Sequence, residues 1–151
     1  MRTRPRPLTA VQASLPDWVA AWPELQARLL RYTQVLVVQI GQGAACNARH
    51  ALPERCARWL LEAGDRVGRD DFPLTQDFLA SMLGVQRPSV TVAAGMLQQA
   101  GFLTYHRGQV TIRDRPGLEA SACECYGFIR GHTTRILGDA GGARGLGDRG
   151  P

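Results

Sequence analysis

The punctuation of residues 74–112 leaves few folds open. Thr75 can cap a short helix over 76–83, because its hydroxyl accepts a bond from a backbone N–H that has no partner inside the helix. Gly84 ends that helix in the left-handed conformation. After a turn through Val85 and Gln86, a second helix is predicted over about 87–100. Pro88 falls in its first turn, where a missing N–H costs nothing, and Gly101 stops it. Residues 102–106 and 109–112 are β-type segments on either side of Arg107-Gly108, a tight-turn signal. Two short helices around a glycine turn, followed by a hairpin, have the order of a winged helix-turn-helix. Val90, Met96 and Leu97 are its core candidates.

Upstream, a helix is signalled from Pro23, with Glu24 at the positive end of its dipole. Leu25, Leu29, Tyr32 and Leu36 recur at the 4-3-4 spacing of a coiled-coil seam, which Ile40 continues. Leu30, Val37, Ile40 and Ala44 add a second apolar face. Two faces need two partners, and a second copy of the chain is expected to be one of them. Gly41 and Gly43 each weaken the helix by about 1 kcal/mol relative to alanine, so a bend or fraying is expected near 41–47.

A further helix opens at Pro53 and Glu54. Its apolar side holds Cys56, Ala57, Leu60, Leu61 and Ala63-Gly64, with Trp59 adding bulk, and its wet side holds Arg55, Arg58 and Glu62. Gly68 and Asp70-Asp71 end it in a loop, and Phe72-Pro73-Leu74 leads out extended. Beyond the hairpin, Asp114 caps one more helix, with Arg115 and Pro116 in its first turn. That helix carries Leu118, Ala122, Cys125, Ile129 and later Ile136-Leu137. The expected organisation is a disordered leader (1–16), a dimerisation helix region (17–50), a winged helix-turn-helix domain (51–137) and a flexible tail (138–151) with six glycines in its 14 residues. The fold class is mainly α with a small β-hairpin.

Composition narrows the function. Of 151 residues, 44% are apolar, enough for a packed core. No run of 18 apolar residues occurs and the start lacks an apolar signal segment, so a cytoplasmic chain without membrane association is expected. The net charge of +5 favours a polyanionic partner, although all 18 basic residues being arginine speaks more of genome composition than of function. Arginine's planar fork nonetheless suits phosphate and guanine.

Cys46, Cys56, Cys123 and Cys125 are expected to be free structural thiols. Neither pair has a CxxC spacing. Two residues apart on one helix, Cys123 and Cys125 would point to different faces and not clamp one metal, so no metal or cofactor is expected. His50, His106 and His132 lie in dissimilar contexts, with no nucleophile elbow or phosphate loop, and no enzyme activity is expected.

Residues 74–80 (Leu-Thr-Gln-Asp-Phe-Leu-Ala), Met82-Leu83-Gly84-Val85, Ser89-Val90-Thr91, Leu97, Ala100-Gly101-Phe102-Leu103 and Arg107-Gly108 resemble the DNA-binding region of Crp/Fnr family transcription regulators. The resemblance extends upstream through Arg31-Tyr32, Cys46-Asn47, Arg58-Trp59-Leu60-Leu61 and Asp65-Arg66-Val67-Gly68. Downstream it takes in Asp114-Arg115, Gly117-Leu118-Glu119-Ala120 and Cys123-Glu124-Cys125-Tyr126, so it covers roughly 23–137. It implies that the long helix is a dimer interface, in agreement with the seam. The family's β-roll sensor needs far more chain than the 22 residues before Pro23, so the sensor is expected to be absent. A cyclic nucleotide is not carried over, and none of the four cysteines matches the family's iron–sulfur pattern. Well-known members present a glutamate and an arginine to the bases. Pro88 and Val92 stand at those places here, so the operator is not inherited.

Such a motif reads bases with the leading end of its second helix. Gln86, Arg87, Ser89 and Thr91 are expected to face the groove, Arg87 as a bidentate guanine contact and Gln86 toward adenine or a phosphate. Val92 or the Thr91 methyl would meet thymine methyls. Thr75, with Gln76 beside it, is a cap and a phosphate donor, while His106 and Arg107 would approach the flanking backbone. The expected partners are double-stranded DNA, read as an imperfect palindrome by a homodimer, and RNA polymerase as a further candidate. The alternatives are a dimerising winged-helix module that does not bind DNA, able to pair with a full-length relative, and a truncated gene product. Neither the operator, nor activation versus repression, nor any redox role of the cysteines is legible.

Overall fold

The computed structural model describes residues 22–138. The expected leader lies outside these residues, as does all of the expected tail beyond Gly138. Helix α1 spans Pro23–Arg49, α2 Leu52–Val67, α3 Gln76–Leu83, α4 Arg87–Gln99, α5 Arg115–Ser121 and α6 Cys125–Leu137. Strands β1 (Asp71–Pro73), β2 (Leu103–His106) and β3 (Gln109–Ile112) form an antiparallel sheet in the order β1-β3-β2. This is a mainly α winged helix-turn-helix fold preceded by a long helix.

The glycine and cap chemistry works as the sequence predicts. Phe78 N–H donates to Thr75 Oγ1 at 3.2 Å, and Gly84 closes α3 at φ +65°. Arg107 and Gly108, at φ +48° and +77°, make the hairpin turn. Gly117 N–H donates to Asp114 Oδ1 at 3.0 Å, which caps α5. Leu60, Leu61, Phe72, Leu79, Val90 and Val110 are among the side chains that close one core between α2, α3, α4 and the sheet.

Five sequence expectations need correction. Residues 71–73 are a third strand, because Phe72, extended before Pro73, pairs with Val110 and fills the core. Arg58 and Glu62 do not face water. The two side chains are 2% and 8% exposed and form an ion pair at 2.6 Å, each screening the other's charge. Met96 is exposed, since the buried stripe of α4 runs through Val90, Ala93, Ala94 and Leu97, about 100° away around the helix. Downstream of Asp114 there are two helices. Ala122 turns extended (φ −82°, ψ 153°) and Tyr126 N–H restarts the ladder on the Cys123 carbonyl. The break places the Tyr126 hydroxyl 2.9 Å from Asp65 and 3.1 Å from Arg115, which also pairs with Asp70, Asp65 and Glu119.

The fifth correction concerns α1. The helix is unbroken through Gly41 and Gly43, because α6 packs along it and tertiary contact outweighs propensity. The stripe that packs is neither of the two apolar faces. Val35 and Cys46 are buried and Val38, Gln39 and Gln42 half-buried, whereas Leu25, Leu29, Tyr32, Leu36 and Ile40 stay exposed, as do Leu30, Val37 and Ala44.

Candidate nucleic-acid interface

Helix α4 buries Val90, Ala93, Ala94 and Leu97 and turns its other side outward. On that side Gln86, Arg87, Pro88, Ser89, Thr91 and Val92 are all exposed. The split follows from spacing: 90, 93, 94 and 97 fall on one helical stripe, while 87–91 and 88–92 make i,i+4 rows on the other. No acidic side chain sits in the first turn of α4, so the positive end of its dipole is reinforced by Arg87.

Helix α3 is braced against this end. Thr91 Oγ1 donates to Gln76 Oε1 at 2.8 Å and also reaches the Arg87 carbonyl at 3.2 Å. Arg87 Nη1 lies 3.7 Å from Asp77 Oδ2, with side chains 63% and 70% exposed. Thr75 is exposed at the head of α3 and its methyl adjoins Gly108, where an added Cβ would meet it at 3.7 Å.

The wing is held to the same place. Leu74 N–H donates to the Gly108 carbonyl at 2.8 Å, the Tyr105 hydroxyl to the Leu74 carbonyl at 2.7 Å, and Tyr105 N–H to Gln98 Oε1 at 2.7 Å. Burial of that phenol pushes its pKa up to about 12, so it stays a donor. Asp71 accepts from Gln109 Nε2 at 2.8 Å and Thr111 Oγ1 at 3.0 Å, and these bonds hold its carboxyl below the usual range. The structure thus joins Gln76, Arg87 and Thr91 through direct bonds, and Leu74, next to Thr75, ties in the Arg107-Gly108 turn. Gln86, Pro88, Ser89, Val92 and His106 lie exposed nearby in the chain, without bonds into that group.

Residues 54–121 match the Crp-like helix-turn-helix domain family. The fold of the chain resembles the crystal structure of the Thermus thermophilus catabolite activator protein at 22% identity, with a TM-score of 0.38. The match covers 80% of this chain and 52% of that one, so the chain spans about half the length of that protein. No curated protein sequence matches the chain. Among the described residues no helix is long and apolar enough to cross a membrane.

Two features of the winged helix-turn-helix and its flanks carry little signal in the sequence. Asp77 is the ion-pair partner of Arg87, and its place in the first turn of α3 is the only sequence signal for it. The expectation that Cys123 and Cys125 diverge assumed one continuous helix. The break at Ala122 removes that premise: Cys123 precedes α6, Cys125 begins it, and both are buried against Cys46. Burial pushes the Cys123 thiol up to about 12 and raises Cys46 as well.

Proposed function

We propose that this chain is a sequence-specific DNA-binding transcription regulator that docks the leading end of α4 in the major groove. The carrying observation is the exposed row Arg87, Ser89 and Thr91 on a helix whose opposite face is locked in the core, with Thr75 and the Arg107 turn braced beside it. In this reading Arg87 contacts guanine, Gln86 contacts adenine or phosphate, and Val92 meets a thymine methyl. Thr75, Gln76, His106 and Arg107 set the register on phosphates. Pro88 fixes the start of the helix and supplies no polar contact.

The second part of the proposal is a homodimer through α1. Leu25, Leu29, Tyr32, Leu36 and Ile40 are all exposed along one helix, and among the described residues no element covers them. A two-fold pair would set two recognition helices about one turn of DNA apart and select an imperfect palindrome. Selection of bound duplexes from a random pool, followed by salt titration of the winner, tests both parts. An enriched inverted repeat whose affinity falls steeply with salt is the expected result. Dimerisation without affinity for any duplex would replace this reading with the interaction module.

A further inference from the structure

Where α1 ends against the junction of α5 and α6, three cysteines and a histidine from distant parts of the chain converge. Cys46 Sγ and Cys123 Sγ are 3.5 Å apart, and Cys125 Sγ is 3.6 Å from His50 Nδ1. All four donor atoms lie within 4.8 Å of one another. Zinc–sulfur bonds of about 2.3 Å and zinc–nitrogen bonds of about 2.05 Å give a tetrahedron with S···S edges of about 3.8 Å and S···N edges of about 3.5 Å. The two closest pairs already stand near those edges, and contraction of about an ångström brings the widest separation in.

The surroundings are those of a ligand set. Gln42 Nε2 donates to Cys125 Sγ at 3.0 Å. His50 presents its far nitrogen, Nε2, to Glu124 Oε1 at 3.1 Å. A ring proton held on Nε2 by that carboxylate would leave the Nδ1 lone pair toward Cys125 Sγ, the orientation a carboxylate imposes on metal-bound histidine. Arg58 adjoins Cys46 and is 2% exposed. Three thiolates and one dication leave a net charge of −1, which the Arg58 guanidinium beside Cys46 would face.

We propose that Cys46, His50, Cys123 and Cys125 bind one divalent cation of the zinc class, which clamps the end of the long helix to the DNA-binding domain. A disulfide would need the Cys46 and Cys123 sulfurs at about 2.05 Å, and it would leave His50 and Cys125 without a role. An iron–sulfur cluster would need donors spread around several irons, whereas these converge on one point.

The test uses the full chain purified under reductant. The expected results are about one zinc per chain by elemental analysis and, after zinc removal, binding of one Co²⁺ with the visible bands of tetrahedral coordination and thiolate charge transfer. Cys123→Ser with Cys125→Ser, and His50→Ala, are expected to weaken binding of either metal at least 100-fold in competition with a chromophoric chelator. Cys56→Ser, a buried thiol outside the cluster, is expected to keep it. The wild-type measurements stand alone if a variant fails to fold. A folded, reduced wild-type chain that takes up neither ion overturns the proposal. So do octahedral cobalt, iron with inorganic sulfide, and a native Cys46–Cys123 disulfide.

Discussion

Arg87 offers the sharpest separation between a fold role and a reading role. Its ion pair with Asp77 is 3.7 Å long with both side chains mostly in water. Coulomb's law gives such a pair about 1 kcal/mol in bulk solvent, and side-chain entropy and salt reduce that to about 0–1 kcal/mol. Arg87→Ala is therefore expected to lower folding stability by no more than about 1 kcal/mol. A bidentate guanine contact is worth about 1–3 kcal/mol per half-site. A dimer carries two, so affinity for the selected palindrome is expected to fall by about 2–6 kcal/mol, roughly 30-fold to beyond 10⁴-fold. Random DNA would lose little. Arg107→Ala, on the wing, is expected to weaken selected and random duplexes alike and lower the salt slope by about 1 per contact. Asp77→Asn frees Arg87 and removes a charge repelled by phosphate, so binding should tighten a few-fold. Fluorescence anisotropy on both duplexes across a salt series reads all three. Equal losses on selected and random DNA for Arg87→Ala and Arg107→Ala would refute the assignment, as would a stability loss above about 2 kcal/mol for Arg87→Ala.

Three further predictions test the frame around this surface. Glu62→Ala strands the buried Arg58 charge and is expected to cost about 3–5 kcal/mol by urea denaturation, whereas Arg58→Met with Glu62→Leu should recover most of it; a loss under 1 kcal/mol would mean that the pair is hydrated. Leu29→Glu with Leu36→Glu, two exposed positions on α1, should convert the proposed dimer to monomer in sedimentation while leaving the monomer's circular dichroism intact, and an unchanged dimer would move the interface elsewhere. Burial pushes the Cys56 thiol from 9.0 up to about 12, so the folded chain keeps a proton that the unfolded chain releases. Its contribution to stability is complete below pH 9 and is lost as pH climbs toward 12, and Cys56→Val should flatten that part of the curve.

The winged helix-turn-helix was legible because its signals are local. Thr75, Gly84, Pro88, Gly101 and Arg107-Gly108 act within four residues of themselves, and each does in the structure what its backbone chemistry demands. What the sequence hid depends on distant partners. Arg58 looks like a solvent-facing residue until Glu62 and the neighbouring core close over it. Phe72-Pro73 is too short to signal a strand until β3 offers a ladder. The helix break at Ala122 has neither proline nor glycine, so nothing local announced it. That break also hid the cysteine cluster, whose members are up to 79 positions apart, counting from Cys46 to Cys125.

In the proposed dimer, how far apart the two reading helices stand depends on the joint between α1 and α2. Only His50 and Ala51 separate the two helices, with His50 extended at φ −104° and ψ 150°. Backbone alone does not fix the angle there; side chains do. Arg55 Nη1 donates to Asn47 Oδ1 at 3.0 Å, Arg66 Nη2 to Gln39 Oε1 at 3.1 Å, and the Cys46, His50, Cys123 and Cys125 group spans the joint to α6. An α-helix of 27 residues is about 40 Å long, so a swing of about 10° at one end displaces the other by about 7 Å. Base readout tolerates far less than that, because hydrogen bonds weaken steeply beyond about 3.2 Å. The side-chain contacts at this joint, more than the hydrophobic seam itself, therefore set whether both halves of a palindrome can be read at once.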